Sequence, residues 1–142
     1  MQPKSIQRFD MVYLASLAVY AGGFFLGYDD TVALTRQQYA EAGLDVDPSM
    51  WVAISFVVIL AVSLLLWWLV SSKGSNVAKW ILTVFFGLGL LAIAYSFSTG
   101  AAGPLTIATG LSLLSTALSG VAIFFLFKPD AKAWLERERP ER

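Results

Sequence analysis

The stretch Trp67–Trp80, WWLVSSKGSNVAKW, places indoles on either side of a short cationic turn, and long apolar runs flank it on both sides. Four such runs occur: Met11–Tyr28, Met50–Val70, Val77–Phe97 and Leu105–Phe127. A bilayer core about 30 Å thick is crossed by roughly 20 mainly apolar helical residues. The first run is the shortest, and Phe9 extends it toward the surface. Inside the four, the one Asp, Glu, Lys or Arg is Lys79, in the opening turn of the third. A water-soluble fold would have to hide all four stretches within 142 residues. The pattern therefore predicts an all-α membrane protein, a single domain of four transmembrane helices in an up-down-up-down bundle. The helices are expected at about 9–28, 48–71, 77–98 and 104–127, with a loop at 29–47 and a tail at 129–142.

Turn chemistry agrees with these limits. Gly74 can end one helix in the left-handed conformation, and Ser75 or Asn76 can cap the next. Asp47-Pro48 offers a cap followed by proline at the first helical position, and Gly103-Pro104 does the same before the fourth helix. The first run is longer than the apolar core of a signal peptide and lacks a small-x-small cleavage site after it, so it is read as a membrane helix.

Direction follows from the cations. Of the ten Lys and Arg residues, only Arg36 falls on the side of the first loop; the others lie near the termini or at the Lys73–Lys79 turn. The positive-inside tendency then puts both termini and that turn in the cytoplasm, and the protein in a bacterial inner membrane. Trp67, Trp68 and Trp80 are expected to form an aromatic belt at the cytoplasmic interface, with Trp51 at the opposite one. Trp134 should rest a C-terminal interfacial helix on the membrane, with Lys132, Arg137 and Arg139 reaching the head groups. The first loop should carry a short extracytoplasmic helix within TVALTRQQYAEAG, capped by Asp30 or Thr31. Its aspartates and Glu41 are weighed as a weak oxygen-ligand cation site, but they lack calcium-loop spacing and read first as a solvated acidic surface.

Composition narrows the function. Hydrophobic residues make up 57% and charged residues 14% of the chain, against about 25% charged in soluble domains. Ten basic and ten acidic residues cancel, so no field draws nucleic acid. There is no Cys and no His, which removes thiol catalysis, disulfides, iron–sulfur clusters and the commonest metal ligand and general base. No cofactor, metal site or enzymatic activity is expected. Proton-coupled export would want a membrane carboxylate, and a phosphate-cradling glycine loop is missing.

Two runs carry a heptad-spaced series of small and polar residues: Tyr13, Ser16, Tyr20, Gly23 and Gly27 in the first, and Thr109, Ser112, Thr116 and Ser119 in the fourth. Such faces let membrane helices approach closely and bond across. They predict a seam between the first and fourth helices, with Gly87 contributing from the third. The hydroxyl line is either adhesive, partly bonding back to its own helix, or the wall of a pocket.

The segments PKSIQRFDMVYLASLA, GSNVAKWI and FKPDAKAWL resemble those of a set of small, uncharacterised four-helix inner-membrane proteins of proteobacteria. That resemblance implies a four-crossing bundle with cytoplasmic ends and brings no functional residue with it. The leading expectation is a structural or accessory role among membrane lipids, as a homo-oligomer or a minor subunit of a larger membrane complex. The alternative is a binding or conduit protein for a small neutral or lipidic ligand in the seam. A tightly packed interior would favour the first; a continuous cavity along Tyr13, Tyr20, Thr109, Ser112 and Thr116 would favour the second.

Overall fold

A computed structural model of the protein describes residues 2–100 and 105–136. These form six helices: α1 (Lys4–Leu26), α2 (Tyr28–Glu41), α3 (Ser49–Ser71), α4 (Asn76–Ser98), α5 (Ile107–Leu126) and α6 (Pro129–Glu136). Gly103-Pro104 and the cationic residues Arg137, Arg139 and Arg142 lie outside the described residues. α1, α3, α4 and α5 are long and apolar enough to cross a membrane, and the large side chains they turn outward, such as Leu65, Phe85 and Leu91, are apolar. That surface suits hydrocarbon rather than water, and the architecture suggests a membrane protein.

α1 starts nearly two turns before the apolar run that announced it. Pro3, extended at φ −61° and ψ 153°, stands at the cap position, and Gln7 N donates to Pro3 O at 3.1 Å to open the ladder. The cause is periodicity. Ile6 and Phe9 continue the three-and-four spacing of Tyr13, Ser16 and Gly23, and all five are buried, while Lys4, Gln7 and Arg8 face outward. At its far end α1 gives way to α2 across Gly27 alone, whose φ and ψ of −102° and 9° leave the helical basin. Thr31 Oγ1 donates to Gly27 O at 2.9 Å instead of capping, so α2 starts at Tyr28 and no cap at Asp30 or Thr31 is used. Tyr28 Oη donates to Ser49 O at 3.0 Å and ties this joint to the start of α3.

The junctions into α3 and α4 follow the expected turn chemistry, whereas α5 starts three residues later than expected, from a Thr106 cap. Asp47 Oδ1 accepts from Ser49 N at 3.1 Å, and Pro48 lies in helical geometry at φ −81°. Gly74 has φ +60°, and the Ser75 hydroxyl accepts from Ala78 N at 3.3 Å. α5 opens at Ile107, where Thr106 Oγ1 accepts from Thr109 N at 3.3 Å.

α1 packs most extensively on α5; lighter contacts of α1 with α3, α3 with α4, and α4 with α5 close a ring of four. The core is uneven. Its most enclosed residues, Ile6, Phe9, Val70, Leu126, Ala131 and Leu135, gather where the N-terminal turns, the α3–α4 turn and α6 meet. Gly87 does not take part in close packing, since a Cβ there would meet open space. The tight glycine is Gly120 of α5, where a Cβ would stand 2.8 Å from Cζ of Phe86 on α4. Small-residue spacing marks a narrow face without naming the neighbour that uses it.

Candidate binding clefts in the bundle

The α1–α5 seam is fastened at one point. Ser16, fully buried, donates through Oγ to Tyr13 O at 2.7 Å and accepts from Ser119 Oγ at 3.1 Å. Its carbonyl accepts from Ser115 Oγ at 2.8 Å. A hydroxyl bonded to a carbonyl across two helices requires the backbones to be close, which small side chains permit. Tyr13 Oη donates to Ser63 O at 3.1 Å and so reaches α3. Thr116 Oγ1 instead donates back to Ser112 O of its own helix at 2.9 Å.

Away from Ser16 the seam opens into two clefts. The central one, ≈ 580 Å³, lies among all four spanning helices and is bordered by Tyr13, Thr116 and Ser119. The outer one, ≈ 870 Å³, lies among α1, α2, α4 and α5 and is bordered by Gly23, Gly27, Thr109 and Ser112. Tyr20 borders both; its ring stacks on Phe56 at 5.6 Å, and Phe56 stacks on Phe24 at 4.0 Å. Of the nine seam residues singled out by spacing, eight therefore line space and Ser16 alone is purely adhesive. Ser115, adjacent to Thr116 in the chain, joins Ser119 in bonding across the helices to Ser16.

Clefts of a few hundred to a thousand Å³ with mainly apolar walls and a few polar groups are the usual form of a small-molecule site. The chemistry available is hydrogen bonding by hydroxyls, the Gln37 amide and one carboxylate, Asp30, at the outer rim. Among the described residues no three carboxylates converge to hold a metal. In the acidic loop Asp47 pairs with Arg36 at 3.2 Å.

The opposite end holds a polar cluster that the hydropathy pattern hid. Asp10 Oδ1 accepts from Trp67 Nε1 at 3.0 Å, and Oδ2 accepts from Ser71 Oγ at 2.8 Å. Gln2 Nε2 donates to Ser71 O at 2.8 Å. Trp67 thus turns inward, unlike Trp68 and Trp80, which are exposed and carry Lys73 and Lys79 over their rings at 5.5 and 5.3 Å. Trp51 is exposed as well, whereas Trp134 is half-buried with its Nε1 enclosed and without a partner among the described residues. The signal for the cluster was the i, i+4 pair Trp67 and Ser71, which share one helix face, opposite a lone acid at the head of the first apolar run.

α6 is docked by Asp130, whose Oδ1 accepts from Ser5 Oγ at 2.7 Å and Oδ2 from Ser5 N at 3.2 Å. The Ser5 hydroxyl bond holds the Asp130 carboxyl below its ordinary range. A depressed folded value means the contribution is complete above the unfolded carboxyl pKa and disappears as pH falls through the folded one. Acidification below about pH 4 is expected to release α6 and shift Trp134 fluorescence; Ser5→Ala should move that transition to higher pH. A transition that Ser5→Ala leaves in place would assign it to another group.

No protein family, curated protein or solved structure matches the chain.

Proposed function

We propose that the protein is a four-crossing membrane protein of a bacterial inner membrane that binds a small, lipidic molecule in the clefts beside the α1–α5 seam. The observation that carries this reading is that Tyr20 lines both clefts, so that Tyr13, Tyr20, Thr109, Ser112 and Thr116 border two adjoining spaces on one side of the seam. An accessory role is the second reading, favoured by the broad apolar faces of α3 and α4, which a neighbouring chain could share. With four crossings, the cation distribution puts both termini, the α3–α4 turn and an interfacial α6 in the cytoplasm, and α2 outside it. A maleimide confined to the outer face should then label Gln38→Cys on α2 and spare Ser72→Cys beside the turn. The reverse pattern would invert the topology.

The binding reading is tested by extracting the protein with its surrounding lipid in polymer discs and identifying retained molecules by native mass spectrometry. Wild type should retain a defined species, and Thr116→Phe, which fills the central cleft, should reduce its occupancy about tenfold, a loss of about 1.4 kcal/mol. An identical lipid profile in both proteins would mean only annular lipid is present and would end this reading.

A further inference from the structure

Resting on the cleft reading, we propose that the ligand is an amphiphile with a hydrogen-bond-donating, non-anionic head group. The head lies beneath α2, and the tail runs past Tyr20 into the central cleft.

Polarity along the path gives the orientation. The outer cleft carries Asp30, Gln37, Ser96 and Thr106 at its α2 end. The central cleft is walled by Leu66, Phe85, Ile123 and other apolar side chains, with only scattered hydroxyls. An amphiphile minimises unpaired polar burial by putting its head among the former and its tail among the latter. Measured along α1, the distance from Gly27 to Tyr13 is 14 residues, roughly 21 Å of helix rise, a length suited to a lipid tail. The two clefts share only Tyr20 and are otherwise lined by different residues. A tail leaving the outer cleft for the central one would pass the Tyr20 ring.

Charge gives the head-group class. Among the described residues, Asp30 is the one charged residue bordering either cleft. An anionic head would face this carboxylate with no cation beside it, and like charges at close range oppose binding. Acceptors are in better supply than donors: the Asp30 carboxylate takes no hydrogen bond from the described residues, while Thr31 Oγ1 and Gln37 Nε2 already donate to Gly27 O and Glu41 Oε1. A hydroxyl- or amide-bearing head supplies what the rim lacks.

The test uses the full chain in phosphatidylcholine nanodiscs, with radiolabelled monoacylglycerol and lysophosphatidylglycerol of the same tail. Monoacylglycerol should bind saturably, and the anionic probe at least about tenfold more weakly. Asp30→Lys should reverse that order, with Asp30→Asn intermediate; position 30 is exposed, so these variants should keep the fold. Thr116→Phe should weaken a long-tailed probe about tenfold and spare a short-tailed one. Equal saturable binding of both probes, or discrimination unaltered by Asp30→Lys, would overturn the head-group assignment while leaving the cleft reading intact. Equal loss of long and short tails in Thr116→Phe would overturn the orientation. Saturation by neither probe would overturn the proposal and the cleft reading together.

Discussion

Ser16→Leu is expected to lower the stability of the protein by about 3 kcal/mol, seen as a clear drop in its thermal unfolding midpoint in detergent. Ser16 is fully buried on the face of α1 that bonds to α5. Leucine would force the two backbones apart and strip Ser115 of its carbonyl partner and Ser119 of its hydroxyl partner. Overpacking costs about 1–3 kcal/mol, and cross-helix hydroxyl bonds in membranes add about 0.6 kcal/mol each. Ser16→Ala keeps the spacing and should cost under about 1 kcal/mol by the same reckoning. Thr116→Ala, which loses only a bond back to Ser112 O, should stay within about 0.5 kcal/mol. If Ser16→Leu melted with wild type, the seam would not hold the bundle together.

Asp10→Ala should be the second-largest loss, about 2 kcal/mol for two hydrogen bonds to a carboxylate after allowing for partial solvent access. The substitution leaves the Trp67 indole N–H and the Ser71 hydroxyl without their acceptor. Asp10→Asn retains one acceptor oxygen and presents a second donor where another acceptor is needed, so it should lose about half as much. A double-mutant cycle isolates the bond: in a Trp67→Phe background, Asp10→Ala should cost about 1 kcal/mol less. A coupling of zero would mean that the indole and the carboxylate do not interact.

Asp10 also marks where the sequence was hard to read. Hydropathy located the four long helices because apolar side chains dominate their averages, and the junctions at Asp47-Pro48, Gly74 and Ser75 were legible because their chemistry is local. The opening turns of α1 were not. Lys4, Arg8 and Asp10 lower the average, although Ile6 and Phe9 keep the buried face in register. Trp67 was placed at the interface because indoles favour it; its partner on α1 lies 57 positions away and leaves no local trace. The seam residues were proposed from spacing, and α1 packs on α5. Spacing could not divide them into the fastened Ser16 and the eight that border open space, because that depends on how far the helices splay. Gly87 and Gly120 illustrate the same limit. Both read as small, but only Gly120 has a ring against it, since the position of Phe86 is set by α4 as a whole.

The bond from Ser115 to Ser16 spans 99 positions and that from Ser119 spans 103, which orders events at the ribosome. α1 is made first, yet its principal partner is the last of the four long helices to emerge. Until then the first helix has only its lighter contacts with α2 and α3, and Ser16 lacks its partners on α5. Assembly of this bundle is therefore governed by its last-arriving piece, and a chain interrupted after Ser98 would be an unclosed ring rather than a smaller stable one.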